Sequence, residues 1–356
     1  MTTAERASLI ANYCQNEETE NYLGYFAAID LVQWIKHELG SAEILDSFQP
    51  IRDNLQSKAV PNGPILHILS GNTPHAGLQS LLRGILVGAE NCVKLPSSGL
   101  PVVEKWIDRL PKELKKFVNI IDSVDKVIAN SKTVIAIGSD ETMSAVHKQM
   151  TPHQRFIPHG HKLSIGLIDQ PSAEAAELVV KDSCAFNQQG CLSLHTIYVR
   201  QNAQDFLPLL AEPMAKYESQ HPRGAISLSE SGAVTNFRET IRYESANDPK
   251  NFAILQSEGN TSWTTIYRNS AILSPSPLNR VVSIQPWPEN ADQLGSEFSY
   301  ISTLAVEAKP ALIDDVTQLD IPRICPLGRS QQPSLFWHHD GFAPLGSLVR
   351  WRDREI

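Results

Sequence analysis

The sequence lacks any run of about 18 apolar residues, so no stretch reads as a helix that crosses a bilayer. Its opening, MTTAERASLIANYCQNEETENYLG, is charged early and has no apolar signal core, so the chain is expected in the cytoplasm. Cysteine is scarce. Cys14, Cys92, Cys184, Cys191 and Cys325 form an odd, scattered set, which argues against a disulfide framework and suits a reducing compartment where a thiol stays free. Positive charge is not in excess: 31 Lys and Arg stand against 39 Asp and Glu, a net charge of -8. A phosphate-backbone binder has the opposite balance, so no nucleic-acid partner is expected. Neither G-x-G-x-x-G nor a Walker sequence occurs, so neither standard nucleotide fingerprint applies.

What is present is material for two cores. A chain of 356 residues, 42% of them hydrophobic, is too long for one ordinary core. Residues 1–60 read as helices, with apolar residues at helical spacing in YFAAIDLVQWIKHEL. Short apolar runs then alternate with helical stretches. GPILHILSG, NCVKLP, KTVIAIGS, KLSIGLI and HTIYV read as strands; AGLQSLLRGILVGA, PVVEKWIDRLPKELKKF, DETMSAVHKQM and AEAAELVVKDSCAF read as helices. That rhythm predicts parallel sheets covered by helices, with ligands beyond the carboxyl ends of the strands. The expected division is a Rossmann-like cofactor domain over residues 1–185 and an α/β catalytic domain over 186–326. A segment over 327–356 either returns to the first domain or makes an oligomer contact.

The strongest chemical signal is FNQQGCLS. Cys191 lies between a helix and a strand, with small neighbours Gly190 and Ser193 that let a substrate approach the sulfur. A thiolate is well suited to thioester exchange, although most buried cysteines are inert packing. Cys184, on an apolar helical face, reads as packing. In SGNTPHAG, Asn72 sits where its amide can donate to a developing oxyanion or simply cap the following helix. Lys94 and Ser97 in VKLPSSG are candidates to meet a ribose or phosphate. Gly138 and Ser139 in IGSDETM form a strand-to-helix junction suited to a phosphate. His159 and His161 in PHGHK are candidate proton donors. The Cys184–Cys191 spacing matches no usual zinc pattern, and the adjacent His338 and His339 diverge in a turn, so no metal is expected.

SGNTPHAG, KLPSSG, IGSDET, GHKLSIGLI and QQGCLS, in that order, resemble the acyl-CoA reductases typified by the bioluminescence fatty-acid reductase (the LuxC family), within the aldehyde-dehydrogenase superfamily. The resemblance covers roughly residues 60–200 and continues weakly through CPLG and HHDG. It implies an aldehyde-dehydrogenase-like fold, NADPH or NADH as cofactor, and an acyl-CoA or other acyl thioester as substrate. It implies that Cys191 is the nucleophile, and that Asn72 and the Cys191 amide form an oxyanion hole. It places Lys94, Ser97, Gly138 and Ser139 near the cofactor. A homo-oligomer is expected. Where hydrolytic members carry Glu-Leu-Gly-Gly-Lys this chain has PHGHK, with Pro158 at the position of the water-activating glutamate. The region equivalent to the ribose-binding Glu-x-Phe-Gly-Pro segment reads SPSPLNRVV, and no ribose glutamate is assigned. The rival readings are an acyl-phosphate reductase, an aldehyde-oxidising dehydrogenase, and a non-catalytic homologue serving as an assembly partner.

Overall fold

A computed structural model of the chain describes residues 1–71 and 74–356, apart from the side chains of 291 and 292. It divides into two compact units, residues 1–161 with 334–356, and residues 162–333.

The first unit begins with three helices: α1 (Thr3–Cys14), α2 (Glu17–Leu23) and α3 (Ala28–Leu39). Each start is fixed locally. Thr2 and Glu5 form a reciprocal capping box on α1, and Asn16 caps α2. The residues after α3 depart from the expected helix. β1 (Gln49–Arg52) and β2 (Leu55–Pro61) form an antiparallel hairpin, and β2 pairs on its other side with the C-terminal strand Val349–Glu355. The partner that makes this segment a strand lies some 300 residues away, so local periodicity could not reveal it.

Next come β3 (Ile65–Ile68), α4 (Pro74–Val87), β4 (Asn91–Lys94), α5 (Pro101–Asp108), α6 (Lys112–Lys115), β5 (Val118–Ile121), β6 (Thr133–Ile137), α7 (Asp140–His147) and β7 (Arg155–His159). The five strands form a parallel sheet in the order β5-β4-β3-β6-β7. Strand order reverses direction between β3 and β6, and that switch point is where an open α/β sheet binds ligands. One polar plug ties the sheet to α4. His67 on β3 meets Ser80 Oγ at 2.8 Å and Asn91 Oδ1 at 2.9 Å, while Asn91 Nδ2 donates to the Ala89 carbonyl. The Asn91 amide orientation makes His67 Nε2 the donor and Nδ1 the acceptor. Burial pushes the ring down to about 4, so it stays neutral.

The second unit contains β8 (Leu163–Ile168), α8 (Ala173–Cys184), β9 (Leu194–Val199), α9 (Phe206–Gln220), α10 (Leu228–Asn247), β10 (Phe252–Gln256), β11 (Thr264–Arg268), β12 (Val281–Pro286), β13 (Ile301–Val306), α11 (Pro310–Val316) and β14 (Arg323–Pro326). Its seven-stranded sheet runs β10-β11-β12-β9-β8-β13-β14, and β10 alone is antiparallel to its neighbour. Val179, Val180, Leu210 and Met214 from α8 and α9 bury one face against Ile197, Val199 and Ile284. Leu163, Ile165, Leu304, Leu312 and Val316 fill the other. Central strands β8 and β9 are buried along their whole length, as expected of parallel strands covered on both faces.

Both units are α/β with parallel sheets, the expected class. The boundaries differ from the sequence reading, which cut the chain after 185 and again after 326. β8 hydrogen-bonds to β9 and β13, so this strand and α8 belong with the second sheet and the division falls at 161/162. β8 and α8 continue the β-α rhythm of the first sheet without a break in composition, which hid the division. The loop after β14 stays with the second unit, and only residues 334–356 return to the first.

Candidate active site

In the second unit, α8 ends at Cys184 and the chain enters three consecutive left-handed residues, Phe186 (φ 51°), Asn187 (φ 54°) and Gln188 (φ 64°). Each non-glycine residue held in this conformation costs about 1–2 kcal/mol, so the turn persists only because its surroundings fix it. A second left-handed run, Leu278, Asn279 and Arg280, precedes β12. The two runs are bonded to each other. Arg280 donates to Asn187 Oδ1 at 2.8 Å, and Gln189 Nε2 donates to Asn279 Oδ1 at 3.4 Å and to Glu230 Oε1 at 3.3 Å. Fully buried Gln188 bridges β9 and β12. Its Nε2 donates to the Leu194 and Val281 carbonyls at 2.9 and 2.8 Å, and its Oε1 accepts the Val281 amide at 2.9 Å.

Cys191 follows this turn. The Ser164 hydroxyl donates to its carbonyl at 2.6 Å, and the Ser193 amide closes on the Gly190 carbonyl at 3.0 Å. Gln331 Nε2 donates to Ser193 Oγ at 3.0 Å and to the Asp182 carbonyl at 2.8 Å. The Asp182 carboxylate accepts the Gly328 and Ser330 amides at 2.7 and 3.0 Å and so fixes the turn that carries Gln331. Burial nevertheless raises the Asp182 carboxyl to about 6, winning over those bonds.

Of the five cysteines, Cys191 alone is not buried. Cys184 packs against Met214, and burial pushes its thiol up to about 12; the same cause takes Cys14 to about 12 and Cys325 to about 11. These three are held as thiols, and Cys191, half-buried, stands apart from them.

In the first unit, Lys94 ends β4 and its Nζ donates to the adjacent Leu95 carbonyl at 2.8 Å. Ser97 is exposed on the turn that follows. Gly138 leaves β6 with its amide on the His159 carbonyl at 3.1 Å, and Ser139 caps α7 through the Thr142 amide. The carboxyl ends of β4, β6 and β7 lie on one edge of this sheet, so Lys94, the Gly138–Ser139 junction and His159 share that edge, flanking the switch point. Exposed backbone at a helix start, hydroxyls and an amine form a donor set that fits the phosphates and ribose of a dinucleotide. Asn72, between β3 and α4 in the sequence, lies outside the described residues.

The two candidate histidines are not brought together as a pair. His161 is exposed, its backbone amide on Asp140 Oδ1 at 2.8 Å. His159 is buried, with Nδ1 at 2.7 Å from Asp340 Oδ2, and its ring stacks on His339 with centroids 4.0 Å apart and planes at 14°. Burial holds His339 well below the ordinary imidazole range, with His159 adding to the effect. One ligand atom each from His159, His339 and Asp340 falls within 4.8 Å of the others. Nearly parallel imidazoles direct their in-plane lone pairs along nearly parallel lines, so they do not converge on one ion. The arrangement suits a hydrogen-bonded His–Asp pair with a stacked second ring. The HHDG segment therefore serves as more than a turn: it supplies the carboxylate that orients His159. Sequence reasoning missed Asp340 in this role, along with Gln188, Ser164 and Arg280. The polar cluster HHD inside an aromatic tail was the one visible hint.

Comparison with known proteins agrees with this architecture. A long-chain acyl-protein thioester reductase of Aliivibrio fischeri is 26% identical over 344 residues, covering 90% of this chain and 70% of that protein. A second protein of that description from Photobacterium leiognathi is 25% identical over the same shares. Among solved structures, an NAD-dependent benzaldehyde dehydrogenase from Corynebacterium glutamicum superposes with a TM-score of 0.67 at 13% identity, covering 100% of this chain and 85% of that one. Aldehyde dehydrogenase C of Pseudomonas syringae gives 0.69 at 11% identity, covering 99% of this chain and 84% of its own. The fold is thus that of the aldehyde dehydrogenases. The family described as acyl-CoA reductase (LuxC) matches residues 7–351, and the chain belongs to that family.

Proposed function

We propose that this protein reduces a long-chain acyl thioester, acyl-CoA in the first instance, to the aldehyde through a thioester on Cys191. The observation that carries the reading is that Cys191 alone among five cysteines is not buried, on a loop held through Ser164, Gln188 and Gln331. Cys191 thiolate attacks the thioester carbonyl, and the tetrahedral oxyanion takes hydrogen bonds from the Asn72 side chain and the Cys191 amide. Collapse of that intermediate breaks the carbon–sulfur bond to the carrier, whose sulfur leaves as the thiolate with the electron pair and takes up a proton. Lys94, Ser97, Gly138 and Ser139 would hold a reduced nicotinamide, which would supply the hydride; breakage of the Cys191 sulfur–carbon bond then releases the aldehyde and returns the Cys191 thiolate. His159, whose ring Asp340 orients, is the proposed proton donor in preference to exposed His161. Pro158 stands where a hydrolytic enzyme has its base, so water attacks the acyl-enzyme slowly and the intermediate waits for hydride. The relatives described as acyl-protein thioester reductases make a protein-borne acyl group the alternative donor.

The test is a single-turnover experiment. Acyl-CoA without nicotinamide should release a burst of CoA close to one equivalent, with an acyl adduct on Cys191 by mass spectrometry and none in Cys191→Ser. Adding NADPH or NADH in parallel should discharge the adduct as aldehyde. An adduct on Cys184, or full activity in Cys191→Ser, refutes the assignment. Continuous acid formation would favour the aldehyde-oxidising reading. Faster acylation from an acylated carrier protein than from acyl-CoA would move the substrate to the protein-borne thioester.

A further inference from the structure

Arg323 opens β14, and the sheet places it beside the nucleophile loop. Its strand register pairs Arg323 with Thr303 on β13, and Thr303 with Ser164 on β8. Residues opposite one another in parallel strands project to the same face, and two strand spacings put the Arg323 and Ser164 backbones about 10 Å apart. Ser164 is the residue whose hydroxyl holds the Cys191 carbonyl at 2.6 Å. From that row the Arg323 guanidinium reaches the turn that supports the loop from the other side, donating to the Ser330 carbonyl at 2.8 Å and the Arg329 carbonyl at 3.0 Å. The next residue, Gln331, holds Ser193. Arg323 thus sits between two anchors of the Cys191 loop.

Asp182 spends both carboxylate oxygens on the Gly328 and Ser330 amides. His195, on β9, accepts the Ser276 amide at Nδ1 and so carries no proton there. Cys325 is buried and kept as a thiol. Burial lowers the Arg323 guanidinium, and Cys325, Asp182 and Cys191, in that order, pull it back up. The guanidinium remains charged at any physiological pH.

We propose that Arg323 is a positioning residue whose fixed cation holds Cys191 as the thiolate, in place of a dedicated general base. The proposal rests on the reading of Cys191 as the nucleophile. Its test needs no substrate, so the two can fail separately. Alkylation of Cys191 by iodoacetamide is followed against pH, by mass spectrometry of the peptide carrying residue 191, in wild type, Arg323→Gln and Arg323→Lys. Arg323→Gln should move the midpoint up by about one pH unit, a tenfold change in the thiol's ionisation constant. Arg323→Lys, which keeps the charge but not the fork, should stay close to wild type. A purely structural role would change melting temperature without moving the midpoint. An unmoved midpoint in folded Arg323→Gln overturns the proposal. Should that variant fail to fold, Arg323→Met, which keeps the apolar stem without the charge, is read in its place, and an unmoved midpoint there overturns the proposal equally. A shifted midpoint in an enzyme that forms no aldehyde retains Arg323 and removes the reductase reading.

Discussion

Gln188→Met isolates the hydrogen bonds that hold the nucleophile turn. Methionine is of similar volume and, having a Cβ, meets the same left-handed backbone cost at φ 64°. What disappears is the amide head group, fully buried, with two donor contacts and one strong acceptor contact. The Val281 amide loses its 2.9 Å acceptor, and the Leu194 carbonyl loses its 2.9 Å donor. The Val281 carbonyl keeps the Ser276 hydroxyl at 2.6 Å and loses less. A buried polar group left without its partner costs about 1–3 kcal/mol, so two such groups amount to about 4 kcal/mol. The unit concerned spans residues 162–333, a size for which 1 kcal/mol lowers the melting temperature by about 2–4 °C. The expected fall is therefore about 8–16 °C. Thermal unfolding by near-ultraviolet circular dichroism measures it, and the CoA burst measures whether the turn still presents Cys191. A loss below about 1 kcal/mol with an undiminished burst would show that the two left-handed runs are held by something other than Gln188.

Asp182 carries a carboxyl raised from 3.8 to about 6, so its contribution to stability is fully present below about pH 4 and is lost as pH rises through 6, by at most about 3 kcal/mol. Asp182→Asn should flatten that slope in urea unfolding between about pH 4 and 6, and an unchanged slope would show that another group titrates there. Asn72→Ala should lower turnover by about 3 kcal/mol of transition-state stabilisation, more than it weakens acyl-CoA binding; a melting temperature reduced by the loss of about 1 kcal/mol, with turnover unchanged, would leave Asn72 a helix cap.

The sequence disclosed what depends on local pattern. Apolar runs of four to six residues separated by amphipathic helices gave the parallel sheets, because buried parallel strands cannot alternate with polar residues. QQGC drew attention because small residues flank a cysteine at a helix-to-strand junction. Long-range features stayed hidden. β2 is a strand because the C-terminal strand pairs with it, and His159 is oriented by a carboxylate 181 residues further along. The left-handed runs at 186–188 and 278–280 contain no glycine, so nothing local announced them; each exists because the other is bonded to it. The boundary at 161 was missed for the opposite reason, since both units share one β-α grammar.

The pairing of β2 with the C-terminal strand has a consequence for biosynthesis. As the chain leaves the ribosome, the second unit emerges as one uninterrupted segment and has every strand of its sheet by residue 326. The first unit, although synthesised first, keeps one edge of β2 unpaired until residues 349–355 appear. Its contact order is raised by the pairing of residues 55–61 with 349–355, and the wait for that strand leaves an open edge able to recruit a neighbouring nascent chain. Completion of the first unit thus waits on residues 349–355, and loss of that strand costs this hairpin its outer partner while leaving the seven-stranded sheet beneath Cys191 intact.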